Sequence, residues 1–206
     1  MHKDILTKKQ EELLPLISDF SKDYYLVGGT AISLYIGHRL SLDFDLFTKK
    51  NINRNQIKAI IEENHFFVEE TIFEAYDQIH FIINNTKLTF FHFPYSIDAN
   101  TNFENVIQIP SLLELAAMKS YVLGGRAKWK DYVDLYFLLK FHFNLEEISS
   151  RAKEIFGSFF NEKLFREQLS YFEDIDYSEE VEYVSKGVSD DEIKNFLINI
   201  ATVPFK

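Results

Sequence analysis

One stretch, residues 24–47, constrains this 206-residue chain more than any other. It opens with a short apolar run of strand type, which Gly28-Gly29 interrupts. Thr30 is a good N-cap for the short apolar helix that the next residues favour. Residues 42–46 then alternate apolar and acidic side chains, which is the period of a strand. We therefore expect a strand, a glycine turn, a short helix and a second strand.

The two acids of the second strand, Asp43 and Asp45, point to a cation site. Side chains two apart on a strand share a face and lie roughly 7 Å apart. Neighbouring carboxylates repel each other unless a cation lies between them or one takes a proton. Hard oxygen ligands suit Mg²⁺, which usually also takes phosphate oxygens from a substrate. Read alone, an Asp-x-Asp pair is more often the wet face of a strand.

The glycine turn adds an anion site to this cation site. Gly28-Gly29 lets backbone N–H groups approach a phosphate at a helix N-terminus, although a lone Gly-Gly is usually only a turn. A phosphate cradle beside a metal site is the minimum equipment for phosphoryl or nucleotidyl transfer.

The order and spacing of these pieces resemble the nucleotidyltransferase signature of the DNA-polymerase-β-like superfamily. More closely, Gly-Gly-Thr-Ala at 28–31 followed by Gly-His-Arg-x-Ser-x-Asp-x-Asp-Leu-Phe at 37–47 is similar to the AbiEii/AbiGii family of nucleotidyltransferase toxins. The resemblance implies that Asp43 and Asp45 hold the metal and are catalytic. It also implies a nucleotide pocket made of Gly28, Gly29, Thr30, Arg39, Ser41 and, from the second half of the chain, Lys119.

A second informative stretch lies at residues 119–136. Three basic residues occur there without an acid between them, which makes them the natural phosphate or RNA patch of a chain with net charge −10: Arg126, Lys128 and Lys130. Asp131 and Asp134 follow on one helix face. The alternative is a solvated helix start, in which Asp131 complements the helix dipole.

Family members carry a Lys on one helix and Arg/Lys-Asp-x-x-Asp-Leu on the next, which Lys119 and residues 130–135 match. By this resemblance, Lys119 would contact the triphosphate and Asp131 would belong to the catalytic site. Asp134 would share that role or anchor its helix to Arg39. We expect Lys119 and Asp131 to face the same cleft as Asp43.

The chain departs from the superfamily at the third carboxylate, which usually comes from a strand beside Asp-x-Asp. The candidate strand, residues 87–93, contains no acid, and Thr89 or Phe91 stands where one is expected. His92 is the nearest polar side chain, and a packed histidine is its commoner role. Three interpretations are open. Two carboxylates alone hold the metal, or the protein is a weak catalyst of this fold. Alternatively, another acid takes the third position: Glu70, Glu74 or Asp77.

Local patterns indicate an α+β protein in which strands and helices are followed by a helical C-terminal half, and the resemblance implies that the first part is a nucleotidyltransferase fold, a mixed β-sheet with flanking helices. We expect a helix over 5–20 broken near Pro15, and a second over 57–66. Three antiparallel strands should follow within 67–93, joined to the strand of Asp43. The polar segment 96–105 separates two predicted lobes, 1–105 and 106–206. Gly124-Gly125 should end the first helix of the second lobe, and the other helices are expected near 129–140, 145–156, 160–172 and 190–200.

Composition limits the function classes. The chain is 46% hydrophobic and lacks cysteine, so it can form a core but has no thiol nucleophile or cysteine-ligated zinc. A net charge of −10 argues against broad nucleic-acid binding, though not against an RNA end held by a local patch. With no signal-peptide pattern and no membrane-spanning run, we expect a cytoplasmic protein.

We therefore expect Mg²⁺-dependent transfer of a nucleoside monophosphate from an NTP to an acceptor hydroxyl. By resemblance the acceptor is RNA, such as a tRNA end, and the protein is a toxin of a toxin–antitoxin or abortive-infection system with a cognate antitoxin. The alternatives are transfer to a small molecule or a protein, and a catalytically silent binding module of the same fold.

Overall fold

The computed structural model describes residues 1–123 and 125–203. The chain forms two compact units, Met1–Ser111 and Leu112–Lys206. A β-sheet with helices makes up the first unit, and helices dominate the second. The α+β class expected from the sequence is therefore confirmed.

The first unit is built on a five-stranded sheet in the order β1-β2-β5-β4-β3. Strand β2 runs parallel to β5, whereas the other neighbours are antiparallel. Asn84 and Asn85 have φ angles of 51° and 58°, as the tight β4–β5 turn requires. The strands are β1 (Tyr25–Val27), β2 (Phe44–Thr48), β3 (Glu70–Glu74), β4 (Gln78–Ile83) and β5 (Thr86–His92).

One face of this sheet forms the core of the first unit. Its apolar side chains, among them Phe44, Phe81 and Phe90, are fully buried. Phe20 packs edge-on against Phe90, with 4.8 Å between the ring centroids. The helices of this unit are α1 (Lys8–Asp19), α2 (Gly28–Ile36) and α3 (Arg54–Glu63).

Two local predictions for this unit, on Pro15 and Thr30, were wrong. Helix α1 continues through Pro15, because Pro15 and Glu11, whose carbonyl loses its partner, are both exposed to water. Helix α2 begins at Gly28 with Val27 as its N-cap, so Thr30 lies inside the helix. The polar segment around 96–105 contains part of a hairpin, β6 (Thr101–Phe103) with β7 (Ile107–Ile109).

The second unit contains the helices that the sequence predicts, with some changes of bounds. Helix α4 ends at Leu123, and Gly124, half of the predicted stop, lies outside the described residues. The helices are α4 (Leu112–Leu123), α5 (Trp129–Phe141), α6 (Leu145–Phe156), α7 (Glu162–Leu169) and α8 (Asp190–Ala201). Across residues 1–123 and 125–203, no helix has both the length and the apolar character that a membrane crossing needs.

Candidate active site

Asp43 and Asp45 lie at the start of β2, on the sheet face opposite the core. Phe44 and Leu46 are fully buried, whereas both aspartates are partly exposed. This alternation is the one the sequence predicts, except that Leu42 is 54% exposed and lies before the strand. Asp45 pairs with Thr89 of β5, and Thr89 pairs in turn with His80 of β4. These side chains lie on the same face of the sheet, because residues paired across neighbouring strands point the same way. We call this face, opposite the core, the open face.

The glycine turn lies directly against Asp45. Gly28 has a φ of 74°, which favours glycine, and a Cβ there would overlap with the Asp45 carboxylate. A Cβ on Gly29 would meet the guanidinium of Arg39. Since Val27 also pairs with Asp45, the first turn of α2 and the β2 carboxylate form one continuous surface.

The remaining predicted nucleotide ligands of this unit are buried around the same turn. The Thr30 hydroxyl donates to Ser41 Oγ at 2.9 Å and contacts the carbonyl of Asp43. Arg39 is 3% exposed, and its guanidinium donates to the Leu40 carbonyl at 2.9 Å. The side chains of Thr30, Ser41 and Arg39 therefore hold the loop that carries Asp43.

Lys87 is a member of this site that the sequence reasoning missed. Its Nζ lies 2.8 Å from Asp43 Oδ2. Leu88 pairs with Phe44, so Lys87 stands beside Asp43 on the open face. The period of β5 puts Lys87 on the face of Thr89, but the parallel register that brings it to Asp43 has no local sequence signal.

His80 also borders the two carboxylates. Burial lowers the pKa of His80 first, and the charge of Lys87 lowers it further, against the opposing pull of Asp45 and Asp43. The imidazole is therefore neutral at pH 7. His80 Nε2 and Gln78 Oε1 are 3.0 Å apart.

Across residues 1–123 and 125–203, no third carboxylate forms a metal-binding group with Asp43 and Asp45. Glu70 and Glu74 lie on β3, three strands from β2 and so roughly 14 Å away. Asp77 precedes β4. His92 points to the core side of the sheet, because Thr89 and Phe91 point to the opposite side and neighbouring strand residues alternate. Among the residues that the structure describes, no group of three or more His, Cys, Asp or Glu side chains could hold a metal ion.

The donors that are present fit a hard divalent cation that also takes ligands from substrate and water. Two partly exposed aspartates share one face, and both supply oxygen atoms. Mg²⁺ is usually bound by one or two carboxylates plus substrate phosphates and water. The Asp43–Asp45 pair therefore suits Mg²⁺ held together with a triphosphate.

A second charged cluster lies inside the helical unit. Lys119 Nζ is 2.7 Å from Asp131 Oδ1 and 3.0 Å from Asp134 Oδ2. Arg126 Nε donates to Asp131 Oδ2 at 2.9 Å. Both aspartates have no exposed side-chain surface. Burial would raise the pKa of Asp131, but the charges of Lys119 and Arg126 hold the pKa below its usual value.

The predicted basic patch is paired with acids. Lys128 and Lys130 both contact Glu179, which lies 51 residues beyond Lys128 in the chain. Burial acts to raise the pKa of Glu179, yet its bonds to the two lysines lower that pKa to about 2. With Arg126 bound to Asp131, all three basic side chains have carboxylate partners.

A family model described as "Nucleotidyl transferase AbiEii toxin, Type IV TA system" matches residues 16–200. The chain belongs to this AbiEii family. The resemblance drawn from the sequence is thereby confirmed, and the protein is a nucleotidyltransferase of a toxin family. Family membership gives a nucleoside triphosphate as the class of substrate.

A curated relative matches most of this AbiEii member. The uncharacterized protein aq_aa25 of Aquifex aeolicus (strain VF5) is 30% identical over 176 residues, which cover 82% of this chain and 84% of the relative.

Solved structures show the same fold at low identity. MenT4, the nucleotidyltransferase toxin Rv2826c of Mycobacterium tuberculosis H37Rv, gives a TM-score of 0.61 at 13% identity, covering 94% of this chain and 80% of its own. JHP933 of Helicobacter pylori gives 0.56 at 16% identity, with 95% and 91% covered. These likenesses confirm the predicted nucleotidyltransferase fold.

Proposed function

We propose that this AbiEii protein transfers a nucleoside monophosphate from an NTP to an acceptor hydroxyl with the help of Mg²⁺. The observation that carries the proposal is the pair Asp43 and Asp45, two partly exposed carboxylates beside the glycine turn at the start of α2. Backbone N–H groups of the first turn of α2 bind the triphosphate, since a helix N-terminus favours anions. Asp43 and Asp45 hold the cation, which neutralises the phosphate charge and aligns the reacting groups when bound.

The catalytic roles of Lys119 and Asp131 are also part of the proposal, and they rest on the family motif. Lys119 donates to two buried carboxylates, so a phosphate contact requires the ammonium to leave one of them. Arg126 competes for Asp131 and so helps to release Lys119. Asp134 supports this arrangement by retaining Lys119 in the cluster.

The proposed acceptor is RNA, such as a tRNA end, and the proposed setting is a cytoplasmic toxin–antitoxin or abortive-infection system with a cognate antitoxin. RNA binding by a chain of net charge −10 needs a local basic surface, and Arg126, Lys128 and Lys130 are proposed to supply it. For this role Glu179 must release the two lysines it pairs with.

That same pairing favours a second candidate acceptor. A segment whose three cations are all paired is a poor RNA surface, so a small-molecule or protein hydroxyl would serve equally well with this charge distribution.

The test is to incubate the protein with each radiolabelled NTP, Mg²⁺ and either total RNA or an RNA-free extract. The proposal predicts label on RNA, and none with a variant carrying Asp43→Asn and Asp45→Asn. Label on protein or a small molecule instead would support the second candidate. No label on any acceptor, with correctly folded protein, would favour a silent binding module.

A further inference from the structure

Strand β3 leaves one edge of the five-stranded sheet open. It is the last strand in the order β1-β2-β5-β4-β3, and all five of its residues are exposed. The Ala75 N–H donates to the Gln78 carbonyl of β4 at 2.9 Å. Because the backbone bonds of a strand alternate in direction, the N–H of Glu74 points away from β4, where an added strand can reach it. The pairing with β4 shifts register between Thr71 and Phe73, and Glu74 lies in the regular part beyond that shift.

Large apolar side chains are exposed on and beside this edge. Phe67 and Tyr76 are 70% and 82% exposed, and within β3 Ile72 and Phe73 are 47% and 46% exposed. Single exposed apolar residues are ordinary on a protein surface. Four of them within ten residues, along an open strand edge, are instead typical of an interaction surface.

The same segment is strongly acidic. Residues 59–86 contain six acids and no lysine or arginine. Two cations approach the segment from α3, since Arg54 Nε lies 3.0 Å from Glu74 Oε1 and Lys58 lies over a ring of β4. The four acids within residues 69–77 still outnumber these two cations. The edge therefore combines open backbone groups and apolar side chains with an excess of negative charge.

The charges decide which occupant fits this edge. A second copy of the chain, paired antiparallel about Ile72, would place Glu70 opposite Glu74, and like charges directly opposite each other destabilise a strand pair. A nucleic acid is repelled by the same acids. A protein segment that carries lysine or arginine beside apolar residues meets neither obstacle and complements both the charge and the apolar side chains.

We propose that β3 is a docking edge for a protein partner, which adds an extended segment of basic and apolar residues as a sixth strand. Backbone groups of the segment bond to Glu74, its basic side chains pair with Glu70 and Glu74, and its apolar side chains cover Ile72 and Phe73. The proposal goes beyond nucleotide transfer and does not rest on it, because β3 is three strands away from β2.

The first test uses the full chain and a fluorescent peptide, Lys-Val-Lys-Val-Lys-Val-Lys, with blocked ends. Fluorescence anisotropy should show binding, and the peptide with glutamate in place of lysine should bind at least about tenfold more weakly, since each cross-strand ion pair becomes a repulsion. A peptide of the same composition without alternation, Lys-Lys-Lys-Lys-Val-Val-Val, should also bind more weakly. No binding of the alternating peptide, or equal binding of all three, would overturn the proposal.

The second test separates strand addition from simple charge attraction. Two further peptides carry N-methyl groups on alternate residues, one on the odd and one on the even positions. Only one set of amides can face β3, so one methylated peptide should lose binding and the other should keep it. Hydrogen–deuterium exchange with the unmodified peptide should slow at residues 69–75. Equal binding of both methylated peptides, or protection elsewhere in the chain alone, would overturn the proposal.

The third test changes the edge itself. Glu70→Lys should weaken binding of the alternating lysine peptide by about tenfold. The matched control is Glu62→Lys, which makes the same charge change at an exposed residue of α3 and should have little effect. Equal effects of the two variants would show that binding depends on overall charge and not on β3. Circular dichroism checks that each variant is folded, and the methylated peptides on wild-type protein remain decisive if Glu70→Lys is not.

Discussion

Two clusters of aspartate and lysine occur in this protein, and their surroundings are opposite. In the sheet cluster, Asp43 and Lys87 are 24% and 28% exposed. In the helix cluster, Lys119 is 6% exposed and Asp131 is fully buried. There, Lys119 and Arg126 balance two acids. The same residue types thus form a partly exposed ion pair in one unit, and ion pairs to two buried aspartates in the other.

This difference predicts that mutations in the two clusters affect different properties of the protein. A partly exposed pair is screened by water and adds little to stability. A buried pair loses much more when one partner is removed, because the other charge stays buried alone. Mutations in the sheet cluster should therefore affect activity, and mutations in the helix cluster should affect stability first.

The largest expected effect is on catalysis. Asp43→Asn should lower the rate of nucleotide transfer by about a thousandfold or more, which corresponds to about 4 kcal/mol of transition-state free energy. The free energy of unfolding should change by less than about 1 kcal/mol, since the Lys87 pair is partly exposed. Transfer assays and urea denaturation of the same preparation measure both values. A large loss of stability would show that the two clusters do not differ as argued.

Next in size is the loss of a buried cation. Lys119→Met keeps most of the length of the side chain but removes the ammonium from two buried aspartates, and should cost about 3–5 kcal/mol of unfolding free energy. The control is Lys153→Met, whose wild-type side chain is 55% exposed and pairs with Glu162 at 2.6 Å. That variant should lose at most about 1 kcal/mol. Equal losses in urea denaturation would contradict the contrast between buried and exposed pairs.

A smaller effect should appear on acidification. The folded-state pKa of Glu179 is about 2, below the ordinary 4.5, so its contribution to stability is complete above pH 4.5 and disappears as the pH falls towards 2. Glu179→Gln should lower stability at pH 7 by about 1 kcal/mol, after allowance for solvent screening. It should also reduce the loss of stability between pH 5 and 2.5. The measurement is the urea midpoint across this pH range. If the variant loses as much stability as the wild type between pH 5 and 2.5, the assigned pairing is contradicted.

The smallest effect concerns RNA. Freeing Lys128 and Lys130 by Glu179→Gln should strengthen RNA binding by about threefold and steepen its dependence on salt. Filter binding at several salt concentrations measures both. Adding Lys128→Gln and Lys130→Gln to this variant should cancel the gain. If affinity stays the same in all of these proteins, the acceptor is bound elsewhere or is not RNA.

The sequence by itself determined the local features of this fold. The alternation of apolar and acidic residues predicted that Asp45 lies on the open face of the sheet. The motif predicted the glycine turn, which lies against Asp45. Helices α4 to α8, among the described residues of the second unit, followed from apolar periodicity. These features depend on residues close together in the chain, where the period of the pattern fixes which side each residue faces.

Only the tertiary structure decided which distant charges meet. Lys87 reached Asp43 through the parallel pairing of β2 with β5, and Glu179 reached Lys128 across 51 residues of chain. Strand partners and long loop closures depend on how whole elements pack, and no local pattern specifies them. For this reason the sequence located the carboxylates and the basic segment. That Lys87 lies beside Asp43, and that Glu179 pairs with Lys128, emerged only from the folded chain.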